Sequence, residues 1–213
     1  MNDKKKKQAS ALIKLNKNTA LSPETKEKLK AYYNLLLKWQ KRINLISPNT
    51  IDTAWDRHFE DSIQLTQLMP QDGTLYDLGS GAGFPGLILA ITCPHLDVHL
   101  IESDQKKCAF LKTVSRETGA KVTIHNKRIE QCHDLPAPHI ITARALSSLN
   151  SLFDYTAPWI KENPEITLLF PKGRNAEQEE EELKHTWLYN KQTYTSVTDT
   201  EAQILKFNNI RAQ

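Results

Sequence analysis

A short apolar run with one acid, Thr74-Leu75-Tyr76-Asp77-Leu78, meets four glycines within eight residues: Gly79, Gly81, Gly83 and Gly86. An apolar, helix-like segment from Leu87 to Ile91 follows. The chain has only 7 glycines in 213 residues, so no other stretch constrains the backbone as much. Glycine takes positive φ at little cost and lets the main chain come close to a ligand. A helix that begins straight after such a loop offers unpaired N–H groups in its first turn. Strand, glycine loop and helix in that order predict the cradle of a nucleotide-type cofactor.

The rest of the chain supplies a sheet for that cradle. Ser22-Pro23-Glu24 starts a helix that runs to about Arg42, with Leu29, Tyr32, Tyr33, Leu35, Leu36 and Trp39 at helical spacing. Residues 53–69 predict a second helix with Trp55, Phe59, Ile63, Leu65 and Leu68 on its buried side. From residue 74 onward, short apolar runs alternate with helical patterns. Strands are expected at 74–78, 97–101, 121–125, 139–143 and 165–170. Helices are expected at 85–92, 105–117, 149–160 and 175–184, and the tail supplies two further strands at 187–197 and 202–207. Such alternation means an α/β fold, a mostly parallel sheet with helices on both faces. Ligands of such sheets bind at the carboxyl ends of the strands near the switch in strand order. The expected organisation is a basic tail and helical cap over residues 1–70 and a cofactor-binding domain over residues 71–213. Residues 1–20 read as a frayed or weakly helical lead.

Composition excludes several classes. No apolar run approaches the roughly 20 residues of a membrane span, and the basic N-terminus lacks an apolar signal segment, so a cytoplasmic protein is expected. The three cysteines, Cys93, Cys108 and Cys132, form no C-x-x-C pair, which argues against a zinc site or a disulfide framework. The net charge of +3 is small, but the basic residues crowd the front, notably Lys4 to Lys7, and acids collect at Glu177 to Glu182. That asymmetry lets an anionic partner approach one face, or simply leaves a solubilising tail.

Two templates fit the loop. Gly81-Ala82-Gly83-Phe84-Pro85-Gly86 is a literal dinucleotide fingerprint. Asp77-Leu78-Gly79-Ser80-Gly81-Ala82-Gly83 has the spacing of S-adenosylmethionine-dependent methyltransferases. Asp77 favours the second, because a carboxylate opposes a pyrophosphate and suits a ligand with ammonium and sulfonium charges. Glu102, at the end of the second strand, is placed for ribose hydroxyls with either cofactor. Ile129 and Glu130, after the third strand, suit an adenine ring and its edge, or equally a helix start with Glu130 in the first turn. Arg144, just past the fourth strand, cannot act as a base but can clamp an anion or stack on a base, or else form a structural ion pair, and Lys172 and Arg174 add cations to the same rim. A cationic cleft without an evident general base suits a nucleophile that carries no proton, such as guanine N7.

Five segments, with Lys172-Gly173, carry a resemblance from about residue 12 to the C-terminus: Trp39-Gln-Lys-Arg-Ile-Asn-Leu45, Arg57-His-Phe-Glu-Asp-Ser62, Asp77 to Gly86, Lys106-Lys-Cys-Ala-Phe-Leu111 and Thr142-Ala-Arg-Ala-Leu-Ser147. The chain resembles the bacterial small-subunit ribosomal RNA guanine-N7 methyltransferases, also called the glucose-inhibited division protein B family. The resemblance implies a Rossmann-like class I S-adenosylmethionine-dependent fold, seven-stranded with an N-terminal helical extension. It implies methylation of one guanine in the decoding-region loop of 16S rRNA, within the 30S subunit or its assembly intermediate, by a monomer. Cofactor contacts are expected at Asp77, Gly79, Gly81, Gly83, Phe84, Glu102, Ile129, Glu130 and Arg144. Arg144 and Lys172 are expected at the reacting centre, and Asn44, Arg57, His58, Lys172 and Arg174 against RNA. Arg57 and Asp61, four apart, also suit a plain helix pair. An NAD-dependent oxidoreductase, or an RNA-binding protein with a residual cofactor fold, are the alternatives; the first lacks room for a substrate domain.

Overall fold

The computed structural model describes residues 13–15, 20–174 and 176–213. Helix α1 (Pro23–Gln40) begins at Ser22, whose side chain accepts from Thr25 N. After it, Trp55–Glu60 winds as a π-helix, Asp61–Ile63 as α2 and Gln64–Leu68 as a 3₁₀ turn. The single regular helix expected over 53–69 is therefore three windings in series. The wide first part lets Trp55 stack on Phe59 with ring centroids 5.0 Å apart, while Trp55 Nε1 donates to Glu60.

The strands are β1 (Ile13–Lys14), β2 (Thr74–Leu78), β3 (Asp97–Ile101), β4 (Val122–His125), β5 (Ile140–Ala143), β6 (Thr167–Lys172), β7 (Trp187–Thr195) and β8 (Gln203–Ala212). They form one sheet in the order β1-β7-β8-β6-β5-β2-β3-β4, with β8 antiparallel to both neighbours. The order reverses at β2, which pairs in parallel with β3 on one side and β5 on the other. The glycine loop leaves the sheet at this switch point. The eighth strand is two residues of the lead, read above as frayed or weakly helical, that pair in parallel with β7. Lys4 to Lys7 lie outside the described residues.

Helices α3 (Gly86–Thr92), α4 (Gln105–Thr118), α5 (Leu149–Glu162) and α6 (Ala176–Leu183) complete the fold. Side chains alternate across the sheet, so two cores form. Leu75, Val98 and Leu100 pack with α1, α3 and α4, whereas Tyr76, Leu78 and Ile101 pack with Phe153, Trp159 and Leu183. Helix α4 ends at Gly119, in the left-handed conformation at φ 67°. No helix among the described residues is long and apolar enough to cross a membrane.

Candidate functional site

Two cavities open beside the carboxyl ends of the parallel strands. The smaller, about 280 Å³, is lined by Gly79, Gly81, Glu102, Ile129, Glu130 and Tyr155, among others. The larger, about 570 Å³, lies between the cap and the sheet and is lined by Arg57, His58, Asp61, Arg144, Lys172 and Arg174, among others. Ala145 lines both.

Glu102 anchors the smaller cavity. It is 7% exposed, and its two oxygens accept from Gly81 N at 2.8 Å and Asp104 N at 2.7 Å. A carboxylate has about four acceptor positions, so each oxygen keeps one for a ligand hydroxyl. At Gly81, φ is 55°, and a Cβ there would meet nothing nearer than Gly79 O at 3.7 Å. A side chain would thus enter open space beside Glu102, and it is the missing side chain that leaves room for a ligand. Leu146 covers Gly79: a Cβ there would stand 2.5 Å from Leu146 Cδ1. Apolar walls, a glycine floor and a carboxylate with spare acceptors fit the nucleoside end of S-adenosylmethionine.

Five expected cofactor residues are thus brought together: Gly79, Gly81, Glu102, Ile129 and Glu130. Four others stand elsewhere. Asp77 is fully buried, with Oδ2 accepting from Gly86 N at 3.2 Å and Oδ1 from Thr142 Oγ1 at 2.9 Å. It clamps β2 to the start of α3 and to β5 instead of facing a ligand, and burial lifts its pKa from 3.8 to about 6. Gly83 sits under the cap, where a Cβ would stand 2.6 Å from Leu87 Cδ1 and 2.7 Å from Tyr32 Oη. Phe84 is 4% exposed and stacks on Tyr32 and His58 at 5.4 and 5.2 Å. It joins the loop to the cap instead of lining the smaller cavity. Tyr32 reinforces that joint by donating to Ala82 O.

Arg144 is the fourth, and it belongs to the larger cavity. Its guanidinium lies over Phe84 at 5.1 Å, donates to Arg57 O at 3.0 Å and to His58 Nδ1 at 2.8 Å, and pairs with Asp61 at 3.5 Å. Burial lowers its pKa, against the raising effect of Asp61. A guanidinium only donates, so His58 accepts at Nδ1, carries its proton on Nε2 and donates to Thr50 Oγ1 at 3.0 Å; Thr50 donates on to Ser47 O. Burial, and then Arg144, hold the His58 pKa down at about 4, which keeps the ring in this neutral tautomer. Asp61 Oδ1 also accepts from Gln64, Ser196 and Thr198, which ties the cap to the β7–β8 turn.

The other expected RNA contacts divide. Arg57 pairs with Asp199 at 3.7 Å, and Arg174 pairs with Glu201. Lys172 donates to Ser147 O at 2.8 Å and pairs with Glu179 at 2.7 Å, so it braces the loop after β5. Asn44 is exposed, lines neither cavity and meets Gln40 Nε2 at 3.5 Å. The sequence reading missed Ala145, Leu146, Thr50 and Tyr155. Ala145 holds φ 53°, a strained value for a residue with a Cβ. No local signal in Arg144-Ala-Leu-Ser147 announces that turn.

A sequence profile described as rRNA small subunit methyltransferase G matches residues 25–208. The chain is 45% identical over 193 residues to a ribosomal RNA small subunit methyltransferase G of Gluconobacter oxydans, covering 91% of this chain and 98% of that one. It is 40% identical over 195 residues to a protein of the same description from Rhizobium leguminosarum, covering 90% and 95%. Among solved structures, a methyltransferase from Geobacter sulfurreducens superposes with a TM-score of 0.56 at 10% identity, over 88% of this chain and 91% of that one. The N-methyltransferase NodS from Bradyrhizobium japonicum, in complex with S-adenosyl-L-homocysteine, superposes with a TM-score of 0.55 at 14% identity, over 83% and 97%. These structural likenesses establish the fold.

Proposed function

The chain belongs to the rRNA small subunit methyltransferase G family, and on that premise we propose that it methylates N7 of one guanine in 16S rRNA. S-adenosylmethionine supplies the activated methyl group from the smaller cavity. The target base enters the larger one. The observation that carries this reading is the meeting of the two cavities at Ala145, between a glycine floor and a cation-lined cleft.

The chemistry of the larger cavity suits that acceptor. Guanine N7 has a lone pair and no proton to lose, so the protein needs no general base. His58 has both ring nitrogens engaged, and the three lining carboxylates are each paired with a cation: Asp61 with Arg144, Asp199 with Arg57, Glu179 with Lys172. What remains is positioning. Arg144 is held in one orientation by Arg57 O, His58 and Asp61 and presents its remaining N–H donors to the base. Lys172 braces Ser147 and thereby the Ala145–Leu146 partition. Glu102 orients the ribose hydroxyls, and Ile129 and Glu130 meet the adenine ring and its edge. The substrate is the rRNA within the 30S subunit or its assembly intermediate, and the protein acts in the cytoplasm as a monomer.

Transfer of labelled methyl from S-adenosylmethionine to 30S particles and to naked 16S RNA tests the proposal, with N7-methylguanine located by base-labile strand scission. Label on a base other than guanine, or no label on either substrate, refutes it. Arg57→Ala is expected to slow methylation while leaving S-adenosylhomocysteine binding intact; unchanged methylation would remove Arg57 from the RNA site.

A further inference from the structure

The cations of the larger cavity share one property: Arg57, Arg144, Lys172 and Arg174 each face a carboxylate, namely Asp199, Asp61, Glu179 and Glu201. A cavity balanced in this way offers hydrogen-bond donors to a base but little net attraction to a phosphate. A different set of cations stands on the far rim of the smaller cavity. Lys107, Lys127 and Arg128 line its mouth, and Lys106 is exposed beside them. None of the four is in an ion pair within 4.0 Å of a carboxylate among the described residues.

The acids beside them, Asp104 and Glu130, make no ion-pair contact with them, although, after the hydrogen bond from Lys107 N, the charges of Lys107 and Lys106 help to hold the Asp104 pKa down. Asp104 Oδ1 caps α4 by accepting from Lys106 N at 2.7 Å and Lys107 N at 3.1 Å, and Glu102 serves Gly81 and Asp104. The two loops that bear the cations are locked together. Asn126 Nδ2 donates to Glu102 O at 3.1 Å and to Ser103 O at 3.0 Å, and Glu102 N donates to His125 O. The two loops thereby hold four cations on one rim, none of them in ion-pair contact with an acid among the described residues.

We infer that this rim, Lys106, Lys107, Lys127 and Arg128, grips the RNA sugar-phosphate backbone while the ion-paired cavity receives the target base. Unpaired cations release counterions when they meet phosphates, whereas cations already neutralised by a carboxylate gain little. The rim flanks the smaller cavity, so a strand held there passes the mouth of the cofactor site on its way to the larger cavity. The inference rests on the rRNA reading proposed above.

The salt dependence of RNA binding tests it, measured on the full chain by filter binding to a 16S fragment, alongside S-adenosylhomocysteine calorimetry. Each lost phosphate contact on single-stranded RNA lowers the slope of log K against log salt by about 0.7, so the Lys127→Ala/Arg128→Ala double variant is expected to lose about 1.4. Arg174→Gln, which removes a paired cation, is expected to keep the wild-type slope. An unchanged slope in the double variant overturns the inference. So does a fall in S-adenosylhomocysteine affinity with the RNA slope intact, which would assign these cations to the cofactor carboxylate, or a larger slope loss in Arg174→Gln. Methyl incorporation by the wild type is scored separately: its absence sinks the proposed function, whereas the slopes alone decide the rim.

Discussion

Asp77→Asn separates the clamp described here from a direct ligand role. The wild-type carboxyl is fully buried, and its pKa stands at about 6 against 3.8 for the free side chain. Burial is the main cause, opposed by the hydrogen bonds from Thr142 and Gly86. The folded state therefore binds the proton more tightly than the unfolded state. This contribution is fully present below about pH 3.8 and is lost as pH rises through about 6. Inside that window it is worth about 1.4 kcal/mol per pH unit. Moving from about pH 7.5 to about pH 5 should add about 1.4 kcal/mol from Asp77 alone. His58 works against it, because its lowered pKa removes stability on acidification over an overlapping range. The raw wild-type curve mixes the two, and the difference between wild type and Asp77→Asn isolates Asp77. The asparagine carbonyl can accept from Gly86 N, and its amide can donate to the Thr142 hydroxyl, so the fold is expected to survive. Urea unfolding of both proteins at the two pH values measures the effect. The wild-type gain should exceed that of the variant by about 1.4 kcal/mol, with S-adenosylhomocysteine affinity at neutral pH nearly equal. Equal pH responses would refute the raised pKa, and a large loss of ligand affinity in a normally folded variant would restore Asp77 to the cofactor.

Other perturbations probe the remaining joints. Gly86→Ala would put a Cβ 2.6 Å from Asp77 Oδ2 and against Leu100 Cδ2, so it should destabilise by about 3 kcal/mol, at the upper end for overpacking, as denaturant unfolding would report. Gly81→Ala meets no such obstacle; it should cost only about 1–2 kcal/mol for its left-handed φ yet weaken S-adenosylhomocysteine binding in calorimetry, because the methyl projects into the smaller cavity. Tyr32→Phe should cost about 1–3 kcal/mol by leaving Ala82 O unpaired in the core, measured by denaturant midpoint. The His58 ring should titrate at about 4 by NMR, and a midpoint near the free value of 6.5 would break the Arg144–His58–Thr50 chain.

The strands and crossover helices were readable because each is a local pattern. Short apolar runs and the Ser22 cap act within a few residues, and the elements they announced are present, although β6 lies two residues later than expected and β8 runs on to Ala212. The winding of residues 55–68 was not readable, because the stacking of Trp55 on Phe59 and the packing of Phe59 on Phe84 and Tyr32 outweigh the regular period. Nor was the two-residue strand at Ile13–Lys14, which exists only through its pairing with Tyr194 and Thr195.

The functional residues divide in the same way. The glycine loop and Glu102 could be placed from sequence because strand ends in a parallel sheet fall on one edge, whatever their side chains do. The direction in which a side chain points from that edge is a tertiary matter. Asp77 turns inward because Gly86 N and Thr142 Oγ1 wait there, and Phe84 turns inward because Tyr32 and His58 from the cap receive it. Arg144 ends on the larger-cavity side of Ala145 because Arg57 O, His58 and Asp61, more than eighty residues away in sequence, form its socket. By itself the sequence determined the sheet, the loop and the family. Only the folded chain decided which cations are paired with acids and which are not, because that pairing joins segments that never meet in sequence.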